Sequence, residues 1–218
     1  MSLSDDLRQS VGPLWEKTVN HPFVEELGEG TLPGDVFEVY FRQDHLFIKD
    51  WIALMCAGVM KAPDFHHARP LAAFIHIALG GEEGLFQEYF KERGLSAEDV
   101  RSLQHLPTGM AYSSFLKRIA AEGSFHEIIT TLLSIEWPYL EWGQRLDAAG
   151  KRPGNKYYQM WIDLHGAKEL EEFVAWMRRT LDNATVGHVS RMKQIFLTTL
   201  RYEYLFWEMA YHGEAWPE

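Results

Sequence analysis

The sequence predicts an all-α fold, on three observations. Apolar residues recur at helical spacing through nearly every segment. No segment alternates apolar and polar residues at the two-residue period of a strand. The interruptions are the Gly, Pro and capping residues that begin and end helices.

The pattern predicts helices at about 5–19, 22–29, 34–60, 66–92, 107–121, 124–149, 154–164, 168–182 and 187–212. His21-Pro22 separates the first two, and Pro33-Gly34 opens the third, which runs to Ala62-Pro63-Asp64. The fourth ends at Arg93-Gly94, and Ser96 to Asp99 reads as a capping box opening one short extra turn. Within the fourth, Gly80-Gly81 interrupts the pattern before Glu82-Glu83. Glu82 is expected to be solvated, whereas Glu83 falls between Leu79 and Phe86 on an apolar stripe. Gly123 and a second capping box, Ser124 with Glu127, open the sixth helix, and Gly150 and Pro153-Gly154 follow it. Pro138 lies inside that helix, where the missing N–H bends the backbone; the bend either follows bundle curvature or opens a wall beside Glu136.

A length of 218 residues without low-complexity breaks is expected to form one domain, residues 1–218. Net charge is −10 and the densest basic patch is Arg178-Arg179, which argues against a nucleic-acid partner. Cys56 is the sole cysteine, so no internal disulfide or zinc cluster can form, and its apolar surroundings predict a buried, inert thiol. No signal peptide and no apolar run of membrane-spanning length is found, so a cytoplasmic protein without a membrane partner is expected.

Acids set among aromatics are the chemical feature. Tyr40, Asp44, Phe47 and Trp51 share one helical stripe. Glu136 follows Leu132 and Leu133, and Glu203 shares a stripe with Phe196, Leu200, Phe206 and Trp207. A carboxylate is costly to bury alone. If these stripes converge they make an aromatic-walled pocket holding acids, suited to a flat nitrogen heterocycle. A desolvated Glu can serve as acid and base near neutral pH. An ionised Asp can accept two hydrogen bonds from an amino-heterocycle. Each acid could instead be a structural ion-pair partner.

Other chemistries find less support. No Glu stands three residues before any His, so the carboxylate-bridged di-iron pattern is not expected and metal ligands are not assigned. His21, His45 and His76 are isolated, a weak basis for haem. No nucleophile elbow or phosphate loop occurs. No cofactor is implied.

The ordered set His21-Pro22-Phe23-Val24, Gly30-Thr31-Leu32, Tyr40 to Asp44, Ala111-Tyr112, Phe115-Leu116, Trp161-Ile162 and Tyr202 to Ala210 resembles the TenA family of thiamin-related aminopyrimidine hydrolases nearly end to end. The resemblance implies a haem-oxygenase-like helical bundle. It implies that Asp44 holds the aminopyrimidine ring, that Glu203 moves protons, and that Tyr112, Tyr139 and Phe206 wall the ring. Where one branch of the family carries a nucleophilic Cys, this chain has Ile135, and Phe47 replaces a Tyr. Glu136-Trp137 and His165 are similar to the cysteine-lacking TenA-E branch. The implied reaction is hydrolysis of 4-amino-5-aminomethyl-2-methylpyrimidine, or its N-formyl form, with Glu203 and Glu136 as acid–base groups. Tyr40, Phe47, Trp51, Glu83 and His165 complete the expected binding set. A homodimer or homotetramer is implied, with the exposed-looking Trp216 a small additional hint. The alternatives are a non-catalytic aminopyrimidine-binding protein and an enzyme of this fold acting on another small ring.

Overall fold

A computed structural model of the chain describes residues 2–185 and 187–217. Twelve helices and no strand occur among the described residues. They form two compact units. Among the described residues no helix is long and apolar enough to cross a membrane.

The first unit takes the chain up to Leu32 together with Gly123–Trp207. It contains α1 (Leu3–Ser10), α2 (Gly12–Val19), α3 (Pro22–Glu29), α9 (Phe125–Ala148), α10 (Lys156–Gly166), α11 (Lys168–Asp182) and α12 (Val189–His212) as far as Trp207. The expected helix at 5–19 is two helices. Pro13 cannot donate a backbone hydrogen bond, and the chain turns at Val11. Helix α9 is buried on most of its circumference, from Phe125 and Ile128 through Leu146, and α2, α10 and α11 pack against it. It runs continuously through Pro138. The Ser124–Glu127 capping box is present.

Gly143 governs the α9–α10 contact. A Cβ there would lie 2.6 Å from the His165 carbonyl carbon and 2.7 Å from the Gly166 nitrogen, so only glycine permits this backbone approach. Two residues before Gly143 on the same helix, Glu141 accepts from Arg8 at both carboxylate oxygens, each at 2.9 Å. The Trp137 ring has the guanidiniums of Arg178 at 4.3 Å and Arg8 at 5.8 Å. Arg178 also pairs with Asp5 at 2.8 Å, so half of the densest basic patch is engaged within the unit.

The second unit takes Pro33–Glu122 and the chain from Glu208 onward. Its helices are α4 (Gly34–Lys61), α5 (Phe65–Gly80), α6 (Glu82–Glu92), α7 (Ala97–Arg101) and α8 (Pro107–Glu122). The expected 66–92 helix divides at Gly81 into α5 and α6. The short turn after Ser96 is α7, with its capping box formed. The N-terminal half of α4 packs on α6 through Phe37, Phe41, Phe86 and Tyr89, with ring centroids 4.5 to 5.8 Å apart.

Two expectations fail here. Cys56 is exposed, not buried. The apolar run Trp51 to Met60 is wider than the buried face of α4: Trp51, Leu54, Met55 and Ala57 face inward, leaving Cys56 and Met60 outside. Glu82 is half-buried rather than solvated. Burial, and secondarily the neighbouring Glu83 charge, push its carboxyl up to about 8.

Helix α5 is apolar in composition yet buries only Leu71 and Ala78. Phe65 is 88% exposed and Leu79 54%. Trp216 is exposed on its ring but donates its indole N–H to the His105 carbonyl at 2.9 Å, within its own chain.

Candidate active site

In the first unit, Glu136 and Tyr139 on α9, His165 on α10, and Glu203 and Phe206 on α12 are all buried. Tyr139 lies 4.7 Å from His165 and stacks on Trp207 at 5.3 Å. Trp142 and Trp161 flank His165 at 5.1 and 4.5 Å. The structure thus builds an aromatic cage around His165 from α9 and α10, with Trp207 of α12 backing Tyr139. The close approach at Gly143 brings α10 to α9 at the level of Trp142, and helical spacing lines Tyr139 up with Trp142 and Trp161 with His165.

His165 has a defined protonation state. Its Nδ1 lies 2.8 Å from the Trp161 carbonyl, which can only accept, so Nδ1 carries the proton and Nε2 is the bare acceptor. Burial drives its pKa down to about 4, against the opposing effect of that hydrogen bond. The ring is therefore neutral at physiological pH. Its folded-state value lies below its unfolded one, so the contribution of the neutral ring to stability is complete above about pH 6.5 and is lost as pH falls towards 4. At about 1.4 kcal/mol per tenfold in proton affinity, roughly 3 kcal/mol is at stake. Urea melts across this pH window should show that decline in the wild type and a shallower one in His165→Gln; equal slopes contradict the assignment.

His21, one of the isolated histidines, caps α3: its Nδ1 accepts from the Phe23 N–H at 3.1 Å, and its ring meets Tyr204 at 5.5 Å. The Gly30-Thr31-Leu32 segment closes the same helix. Gly30 takes a left-handed conformation (φ 73°), and the Thr31 N–H returns to the Glu26 carbonyl at 2.9 Å.

In the second unit, Tyr40, Asp44, Phe47 and Trp51 are buried along α4 as their spacing requires. Tyr112 on α8 meets Phe47 at 4.9 Å, and Trp51 meets Phe74 at 6.0 Å. Glu83 is different: its side chain is 38% exposed, accepts from Gln87 at 2.7 Å and lies 3.7 Å from His45. Burial lowers the His45 pKa and Glu83 opposes this. A surface cleft of about 510 Å³, lined by Val39, Arg42, Gln43, Leu95 and Leu103 among others, contains none of the candidate residues.

Sequence reasoning passed over Trp142, which helps to build the cage and whose buried indole N–H has no acceptor among the described residues. The signal was available in its spacing from Tyr139 and in the glycine beside it. Gln43 was likewise missed as a residue in its own right. It is 5% exposed, and both ends of its amide are bonded across to the segment before α8.

A helical protein with buried acids on α4, α9 and α12, each set among aromatic rings, defines the class. The model of the TENA/THI-4/PQQC family matches residues 8–213, and the chain belongs to that family. It is 33% identical to an aminopyrimidine aminohydrolase of Halalkalibacterium halodurans, over 99% of this chain and 98% of the relative. It is 31% identical to an aminopyrimidine aminohydrolase of Helicobacter pylori, over 98% of this chain and 100% of the relative. Among solved structures, a TenA homologue from P. horikoshii OT3 superposes with a TM-score of 0.89 at 27% identity, covering 98% of this chain and 100% of that one. A Shewanella denitrificans domain with a haem-oxygenase-like fold superposes at 0.75 with 15% identity, over 96% of this chain and 92% of that one, which places the fold in that class. The expected fold and family both hold.

Proposed function

We propose that this chain is an aminopyrimidine aminohydrolase of thiamin-pyrimidine salvage, a C–N hydrolase acting on 4-amino-5-aminomethyl-2-methylpyrimidine or its N-formyl form. The observation that carries the reading is the burial of Asp44, Glu136 and Glu203 to 5%, 6% and 3% exposure on helices that also present aromatic rings. Near-full-length similarity to proteins named for this activity supports it.

Asp44 accepts hydrogen bonds from the amidine edge of the ring, and Tyr40, Phe47, Trp51, Tyr112, Tyr139 and Phe206 supply apolar and stacking contact. The bond between the exocyclic methylene and nitrogen breaks with its electron pair leaving on nitrogen. Glu203 delivers the proton that makes ammonia the leaving group and takes one from the water that forms the new C–O bond; Glu136 supports this exchange. Ile135 offers no nucleophile, so the reaction proceeds without a covalent adduct on that residue. His165, neutral with a bare Nε2, supplies an acceptor, and Glu83 stands at the periphery.

In this reading residues 1–218 act as one catalytic domain, in the cytoplasm and as a homo-oligomer. The exposed apolar residues of α5 are suited to a second copy of the chain. Incubation with the aminomethyl and formylaminomethyl pyrimidines and with thiamin tests the function. Hydroxymethylpyrimidine should form from the first two, with ammonia released from the aminomethyl substrate. Tight binding without product would instead identify a pyrimidine-binding protein.

A further inference from the structure

We propose that Gln43 is a positioning residue: by clamping α8 to α4 it sets the height of Tyr112 relative to Asp44, and so the fit of the pyrimidine ring. The inference rests on the aminohydrolase reading and adds to it a residue that touches no substrate.

The geometry is that of a two-point lock. The Gln43 Nε2 donates to the Gln104 carbonyl at 2.9 Å, and its Oε1 accepts from the Leu106 N–H at 2.8 Å. A side-chain amide here does what a neighbouring peptide does in a sheet, satisfying one donor and one acceptor together. Both partners lie just before α8, where a helix has N–H groups without internal acceptors. Pro107 has no N–H to satisfy, and the Thr108 N–H goes to Glu214 at 2.8 Å. Gly109 leaves room for the lock, since a Cβ there would come within 2.8 Å of the Gln43 Oε1.

The lock is one rung of a ladder. Seven residues on, Asp50 accepts from the Ser113 hydroxyl and pairs with Lys117 at 3.1 Å. The steps from Gln43 to Asp50 and from Leu106 to Ser113 are equal, so α4 and α8 run side by side in the same direction at constant register. At the far end the Lys61 Nζ donates to the carbonyls of Ala120 and Ala121 at 2.8 and 3.0 Å, completing the last turn of α8. Asp44, Phe47 and Tyr112 lie between the first two rungs, and the Phe47–Tyr112 ring contact is held at that level. Apolar packing alone leaves a helix free to slide by fractions of a turn; hydrogen bonds of fixed length do not.

Gln is the residue type this lock demands. Glu would keep the Leu106 bond but turn an acceptor towards the Gln104 carbonyl, and Leu would lose both. The test is steady-state kinetics with the aminomethyl pyrimidine on Gln43→Leu, Gln43→Glu and Gly109→Ala. The last reaches the lock from α8 and removes no hydrogen-bonding group. Loss of register should raise KM by about 10-fold or more, since misplacement by about 1 Å is felt strongly at a reacting site, with kcat changed less. A general folding defect would lower the active fraction, reducing apparent kcat at unchanged KM, and that pattern overturns the proposal. So does a KM in all folded variants equal to that of the wild type. If Gln43→Leu does not fold, Gly109→Ala decides between the same two outcomes. A wild type that neither binds nor cleaves the pyrimidine overturns the functional reading and this inference with it; an active wild type with unaffected variants overturns the inference alone.

Discussion

Glu203→Gln is expected to lower ammonia release from 4-amino-5-aminomethyl-2-methylpyrimidine by about 100- to 10,000-fold, the usual range for loss of a general acid–base group. The amide keeps the shape and volume of the carboxyl in a site only 3% exposed, so packing around α12 should change little. What it cannot do is exchange a proton. Pyrimidine binding, followed by calorimetry, should therefore survive while turnover disappears. Glu136→Gln is the informative companion: a smaller loss would fit its supporting role, whereas a larger loss than at Glu203 would reverse the two assignments. Undiminished turnover in Glu203→Gln rejects the acid–base role of that residue outright.

Asp44→Asn should act on the other half of catalysis. A charged hydrogen bond to a ligand is worth about 1.5–3 kcal/mol, and Asn turns one donor towards a ring edge that itself donates. Loss of kcat/KM by about 100-fold or more is the expected result, expressed largely in KM. Asp44 is buried to 5% exposure and Asn matches it closely in volume, so the packing around it should be kept and the melting temperature should stay near that of the wild type. Lower activity together with an unchanged melting temperature is the signature of a binding acid. A collapse in melting temperature would mark Asp44 as a structural ion-pair partner instead.

Much of the fold was legible because helix boundaries here carry local chemistry. The Ser96 and Ser124 capping boxes formed as their spacing predicted, and α4, α8, α9 and α11 began and ended within two residues of expectation. The break at Val11 leaves no such mark, because the apolar period continues across it and one Pro decides the backbone; at Gly81 the interruption is visible in the sequence, but not that it divides the helix in two. Cys56 misled for a related reason: on a helix rich in apolar residues all round, composition does not tell the inner face from the outer. The burial of Asp44, Glu136 and Glu203 was readable from stripes of aromatic neighbours. The cage around His165 and the desolvation of Glu82 were not. The first depends on α9 and α10 touching at Gly143, the second on how α6 starts after Gly81. Neither contact leaves a periodic trace in one helix.

In the proposed reaction Asp44 and Glu203 act on one substrate molecule. A crystal structure of Glu203→Gln soaked with the aminomethyl pyrimidine tests it most directly. The proposed reaction requires the amidine edge of the ring on the Asp44 carboxylate and the aminomethyl nitrogen within hydrogen-bonding reach of residue 203. A ring bound against only one of these side chains, or away from both, contradicts it.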